Sequence, residues 1–127
     1  MKLRTTNNSI RIRIRKSELA LLKNDSKIEE VIYFPNDVQF AFALAVAKEI
    51  EEINVSLNQN TLTILIPHNI AIGWINTNQV GIEYNLPISI DKNLHVLIEK
   101  DFPCLDRSNE DKSDTFWELA PENPENC

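Results

Sequence analysis

The chain has 127 residues, 43% hydrophobic and 25% charged, with a formal net charge of −6. Those figures fit one domain with a core of its own and exclude a disordered polypeptide. No apolar run approaches the roughly 20 residues a membrane-crossing helix needs, and the polar, basic start lacks the apolar stretch of a secretory leader. Two cysteines, Cys104 and Cys127, read as thiols rather than a disulfide framework, so a reducing compartment, the cytoplasm, is expected.

The charge is unevenly placed. Lys2, Arg4, Arg11, Arg13, Arg15 and Lys16 stand in the first 16 residues without an acid. From Glu99 onward acids dominate, so one end of the chain is basic and the other acidic.

In chain order, "SIRIRIR" is the clearest strand, because strict alternation places Ile10, Ile12 and Ile14 on one face and Arg11, Arg13 and Arg15 on the other. Ser17 is placed to cap a short helix, "SELALLKND", with Leu19 and Leu22 as its apolar stripe. "KIEEVIYF" and "VQFAFALAV" follow as strands around a turn at Pro35-Asn36-Asp37. The second is alanine-rich enough for a helix running into "AKEIEEI", but Val38, Phe40, Phe42, Leu44 and Val46 favour period 2. "INVSL" and "TLTILI" flank a tight turn at "NQN". Pro67 and His68 open a second helix, apolar around its axis and therefore expected to be well buried. "QVGIEYNL" and "NLHVLIEKDF" complete seven strands. With only two glycines in the chain, Asn24, Asn36, Asn58, Asn78 and Asn93 are the candidates for left-handed corners. From about residue 105 the text turns acidic and proline-punctuated, which predicts a largely irregular tail over 105–127 behind a globular body at 1–104.

A strand–helix–strand pattern occurs twice. At an offset of 52, Ile14 matches Ile66 and Ile28 matches Val80. The expected fold is mainly β (α+β): about seven strands in one curved sheet or partial barrel, with two short helices in two pseudo-symmetric halves.

Three places could carry chemistry. Arg11, Arg13 and Arg15 present guanidinium groups at strand spacing, able to engage phosphates or carboxylates. The plainer expectation is pairing with acids such as Glu29, Glu30, Glu51 or Glu83; a third reading brings the acidic tail onto the arginines. Asp101, Cys104, Asp106, Glu110, Asp111 and Asp114 form an acidic run that could attract a cation. It lacks the glycine of a calcium loop and the extra Cys or His ligands zinc requires, so a solvated tail is favoured. Cys104 lies among carboxylates, which oppose thiolate formation. Phe116 and Trp117 could anchor a docking peptide or, as favoured, fold back over the domain's own sheet. His68 and His95 have no carboxylate at a telling offset. No phosphate loop, nucleophile triad, metal motif or dinucleotide fingerprint is present, so no cofactor is implied and an enzyme is unsupported.

"NSIRIRIRKSEL", "TLTILIPHNIA…W…TNQVGIE" and "LHVLIEKDFPCLDR…ED.SD.F" together resemble a family of uncharacterised bacterial proteins known only as a domain of unknown function. The resemblance runs to about Phe116 and is most specific over Ile98–Leu105 and Glu110–Phe116. It departs at "IAIGWI" in the second helix and after Phe116. It implies a unit that folds alone and no activity. "TILIPHNIAIGWINTNQVGIE" is also similar in layout to the swapped-hairpin transcription factors, which dimerise and contact DNA through arginines near the sheet; the Gly-Asp usual before the second strand is missing.

The expected function is a small intracellular binding or interaction module, its contact made by the arginine face or the Phe-Trp segment with a protein partner or a second copy. The rivals are a nucleic-acid-binding regulator using Arg11, Arg13 and Arg15, which the net charge disfavours, and a metal- or thiol-dependent enzyme around Cys104.

Overall fold

The computed structural model describes residues 1–102, 114 and 116–119. Along the chain come β1 (Lys2–Thr6), β2 (Ser9–Ile14), α1 (Lys16–Asp25), β3 (Lys27–Tyr33), β4 (Gln39–Ala47), β5 (Asn54–Asn58) and β6 (Thr61–Pro67). Then follow α2 (His68–Ile75), β7 (Gly81–Ser89), β8 (Lys92–Lys100) and a 3-10 turn at Trp117–Leu119.

The mainly-β expectation holds, but one curved sheet is replaced by two four-stranded sheets, ordered β1-β2-β8-β7 and β3-β4-β6-β5. The reason lies in the helices. α1 leaves the first sheet after β2 and delivers the chain to the second at β3; α2 makes the return trip from β6 to β7. Each sheet is thus assembled from two hairpins, joined at its centre by a parallel pair, β2 with β8 or β4 with β6.

The two halves repeat each other in register. In the first sheet Ser9 stands beside His95, and in the second Thr61 stands beside Ala41. Adding 52 to the positions of β1 and β2 gives β5 and β6, and adding 54 to β3 and β4 gives β7 and β8. Lys2 opposite Arg13 becomes Asn54 opposite Leu65, and Ile28 opposite Leu44 becomes Ile82 opposite Ile98. The offset expected from sequence therefore holds for Ile14 and Ile66 but not for Ile28, whose counterpart is Ile82 rather than Val80. The second helix-to-strand connection is longer: Ser26 alone links α1 to β3, whereas residues 76–80 link α2 to β7.

Inward residues from both sheets and both helices meet in one core. Ile10, Ile12, Ile14, Val96 and Ile98 come from the first sheet; Phe42, Leu44, Leu62, Ile64 and Ile66 come from the second. Leu22 of α1 and Trp74 of α2 hold equivalent places between them, both buried. Trp74 keeps its indole N–H satisfied by donating to the Val80 carbonyl at 3.0 Å. Each such side chain, withdrawn from water, contributes about 1.5–3 kcal/mol before conformational entropy is set against it.

Four further expectations are corrected. The eighth strand is β1, whose "KLRTT" carries no alternation to betray it. Helix α1 begins before Ser17: the backbone N–H of Arg15 donates to Glu18 Oε1 at 2.9 Å, so Glu18 supplies the cap. Helix α2 buries Ala71 and Trp74 but leaves Ile70 and Ile72 at 38% and 43% exposure, so only one face is covered. Of the five asparagines proposed for left-handed corners, only Asn36 has positive φ; Asn7-Asn8 and Gln59-Asn60 close the equivalent two-residue turns of β1-β2 and β5-β6.

The Met1 ammonium group is fully covered. It hydrogen-bonds to the Glu18 carboxylate and to Glu30 Oε1, the latter at 2.6 Å. Burial alone would lower the amine's pKa, but hydrogen bonds to Glu18 and then Glu30 outweigh it and raise the value. Met1 is the counterpart of Ile53, and both side chains are buried.

Candidate functional site

The outward face of the first sheet collects the charges. With Ile10, Ile12 and Ile14 turned into the core, Arg11 and Arg13 must point out. On β1, Leu3 packs inward, so Lys2 and Arg4 point out as well; Lys2 lies directly opposite Arg13, and Arg4 directly opposite Arg11. The row of three arginines expected from sequence is instead a two-by-two block of cations across β1 and β2. Arg15 leaves the row, because the strand ends at Ile14 and Arg15 stands at the head of α1 beside Glu18.

Like charges directly opposite on adjacent strands repel, so the block needs counter-ions. Glu99 on β8 is the main one. Its Oε1 accepts from Arg11 Nε at 2.6 Å and from Arg13 Nε at 2.8 Å, although the residue is only 6% exposed. Burial pushes its carboxyl pKa up, yet the two arginine hydrogen bonds outweigh burial and hold it below the usual carboxylate range. Asp101 accepts from Lys2 Nζ at 3.0 Å and lies 3.8 Å from Arg13 Nη1. The Lys2 hydrogen bond is the chief cause of its lowered pKa. The Phe102 ring sits 4.9 Å from the Arg13 guanidinium, a cation–π contact. Arg4 is likewise engaged rather than idle.

Space for Glu99 comes from its neighbour. Gly81 is its partner on β7, and a Cβ built there would lie 3.0 Å from the Ile98 carbonyl oxygen and 3.2 Å from Glu99 Cβ. Further along the face, His95 Nε2 lies 2.6 Å from Glu83 Oε1. The expectation that His95 has no carboxylate partner is therefore corrected: twelve residues separate the two, but the β7-β8 hairpin folds them together. The arginines are paired, as favoured from sequence, though through Glu99, Asp101 and Glu18; of the acids named there, only Glu83 lies on this face, and it holds His95.

A cleft of about 270 Å³ opens beside Arg11, with Arg4, Thr6, Ser9 and His95 among its walls. Its donors come from three neighbouring strands, β1, β2 and β8.

The equivalent face of the second sheet is different. Arg11, Arg13, His95 and Glu99 are replaced there by Thr63, Leu65, Ala41 and Ala45; Lys2 and Arg4 are replaced by Asn54 and Ser56. The same backbone thus presents one face with a two-by-two block of cations and one on which the corresponding positions are uncharged, its ion pair being Lys27 with Glu29 on β3.

The other sequence candidates do not join this site. Cys104, Asp106, Glu110 and Asp111 lie outside the described residues, as does the Trp117 side chain. Asp114 is exposed. Phe116 is 75% exposed, so it does not fold back over the sheet as expected; the aromatic that lies on the sheet is Phe102, which sequence reasoning passed over. Among the described residues no three His, Cys, Asp or Glu side chains stand close enough to hold a metal. No described helix is long and apolar enough to cross a membrane.

The fold and its charged face define a two-sheet α+β domain built from a repeated ββαββ unit. The chain belongs to a family of unknown function, DUF7009, which matches residues 1–120. Neither a curated protein nor a solved structure shows significant similarity to it.

Proposed function

We propose that the protein is an interaction module whose outward first-sheet face, centred on Arg11 and Arg13, binds an acidic segment of a protein partner. The observation that carries this reading is the contrast between the two equivalent faces. The second sheet folds with Thr63, Leu65 and Ala45 where the first has Arg11, Arg13 and Glu99, so the architecture itself does not demand the ions. Partly burying three charged groups incurs desolvation that a fold-only role would avoid.

The chemistry of the partner follows from the face itself. Asp101 and Phe102 already lie against Lys2 and Arg13, and they illustrate how a carboxylate and an aromatic ring are accommodated together. Arginine beside an aromatic contact is typical of interface centres. Nucleic acid fits less well: Glu83, Glu99 and Asp101 interrupt the cations, and the whole chain is at −6.

The test is fluorescence anisotropy with a labelled nine-residue peptide of Glu and Asp carrying one Phe and one Ser, titrated with the full chain. Saturable binding that weakens with salt and is lost in Arg13→Gln supports the reading. Absence of binding at low salt, or binding indifferent to Arg13→Gln, overturns it. Tighter, strongly salt-dependent binding of a single-stranded oligonucleotide would replace it with the nucleic-acid reading.

A further inference from the structure

Among the described residues four strands stand at sheet edges: β1 and β7 in the first sheet, β3 and β5 in the second. An edge offers unpaired N–H and C=O groups to any extended chain, so edges are ordinarily guarded by charge, proline or irregular pairing. Three of these edges are guarded in that way. β1 carries Lys2 and Arg4, and β3 carries Lys27, Glu29 and Glu30. β7 has Glu83, Pro87 and a register shift between Pro87 and Ser89. β5, "NVSLN", has no charge, no proline and an unbroken register against β6. It also holds Leu57 at 71% exposure, while Val55, on the same face, packs only partly against the core.

The hydrogen-bond pattern fixes which groups β5 leaves open. Ala41 donates its N–H to the Asn60 carbonyl at 3.0 Å across the parallel β4-β6 pair. Residues of β6 turn to β4 and β5 alternately, so Leu62 serves β4 while Thr61 and Thr63 serve β5. Their partners Asn58 and Ser56 are thereby engaged, and Val55 and Leu57 direct both backbone groups out of the sheet. We infer that this edge pairs with the same edge of a second copy, antiparallel about a two-fold axis at Ser56. That register sets Val55 of each copy opposite Leu57 of the other and closes four backbone hydrogen bonds. The exposed leucine gains an apolar neighbour, and only Asn54, Ser56 and Asn58 meet on the outward face. A second copy is the occupant because the edge complements itself in both backbone parity and side chains. The same pairing at the equivalent edge, β1, would set Arg4 of one copy against Arg4 of the other, and like charges oppose it. Both copies spend the same edge, so the assembly closes at two. A five-residue seam is small, which places the dimer in the weak class that dissociates on dilution. The inference stands apart from the charged face, which lies on the other sheet.

The test is sedimentation velocity on the full chain at low salt over a concentration series reaching about 1 mM, with Ser56→Arg and Ser56→Glu beside it. Expected is a monomer–dimer equilibrium with its midpoint near about 0.1 mM. Each variant sets like charges against each other at the axis and should associate about tenfold more weakly. An equimolar mixture of the two sets opposite charges there and should recover at least the parent's association. Position 56 is exposed and its counterpart on β1 is Arg4, so both variants keep the fold, which unchanged first-sheet amide signals by NMR verify. Amide exchange at Val55 and Leu57 should slow as the parent's concentration rises. A parent chain that stays monomeric throughout overturns the inference and leaves the edge to an extended segment of another protein. A dimer indifferent to both variants overturns it too, because the contact then lies elsewhere. So does a mixture that stays as weak as either variant alone, since Ser56 is then not at the axis.

Discussion

Glu99 and Ala45 hold the same position in the two sheets, Glu99 beside Arg13 and Ala45 beside Leu65 in the central parallel pairs, and their hairpin partners are reversed in size: Gly81 faces Glu99, and Lys27 faces Ala45. A large side chain beside a small one fills either arrangement. What differs is the ionic cluster that the Gly81 choice makes possible.

Restoring the second sheet's residues separates fold from function. Glu99→Ala alone leaves two guanidinium groups without their carboxylate and is expected to cost about 2 kcal/mol. The triple variant Arg11→Thr, Arg13→Leu, Glu99→Ala removes the cations too and is expected to recover to within about 1 kcal/mol of the parent. Urea unfolding of both variants reads the difference. A triple variant no more stable than the single one would mean that the cluster is structural.

Stability has two pH limits. Glu18 and Glu99 have folded pKa values below their ordinary 4.5, and Asp101 lies below 3.8. A depressed carboxyl stabilises fully above its unfolded value, and that contribution is lost as pH falls through the folded value. The Met1 amine is raised above 8.0, so its contribution is complete below about pH 8 and is lost as pH rises through the raised value. Melting temperature against pH should form a plateau between about 5 and 8, falling on both sides. A curve still rising above pH 8 contradicts the amine's role.

Glu18 serves two neighbours and Glu30 one. Glu18 caps α1 and binds the covered ammonium, whereas Glu30, with its side chain 43% exposed, binds the ammonium alone among the described residues. Glu18→Ala is expected to cost about 2–3 kcal/mol and Glu30→Ala about 1 kcal/mol or less. Chemical denaturation ranks the two, and equal costs would remove the cap from the account.

Gly81→Ala tests the packing of the cluster. The added Cβ meets the Ile98 carbonyl oxygen, which is held in the sheet and cannot turn aside. A loss of about 1–2 kcal/mol is expected, with shifted Arg11 and Arg13 side-chain NMR signals. Ala at Gly73, where nothing lies within 4 Å, should be neutral or slightly stabilising.

Much of this was legible before the fold was known, and the omissions share a cause. Alternation in "SIRIRIR" and "TLTILI" revealed β2 and β6, because one face of each is core. It could not reveal β1, whose exposed "KLRTT" relies on β2 for its conformation. The arginines were visible, but Glu99 lies 86 and 88 positions away from Arg13 and Arg11, brought alongside by a parallel pairing with no local signature. His95 and Glu83 were concealed for a milder version of the same reason, a hairpin register rather than a spacing. Half of the repeat was found, and the longer α2-to-β7 connection hid the rest by shifting the offset.

The interleaved halves also set an order of events during synthesis. Every strand of the second sheet lies between Lys27 and Pro67, and its central pair joins residues 20 positions apart, Ala41 with Thr61. The first sheet joins Ser9 to His95, so β2 cannot acquire its inner neighbour until almost all the described chain has left the ribosome. Until then the β1-β2 hairpin waits with its β2 edge open as well as its β1 edge. Its outward row of Lys2, Arg4, Arg11 and Arg13, without Glu99 to offset it, keeps two such waiting edges apart by repulsion.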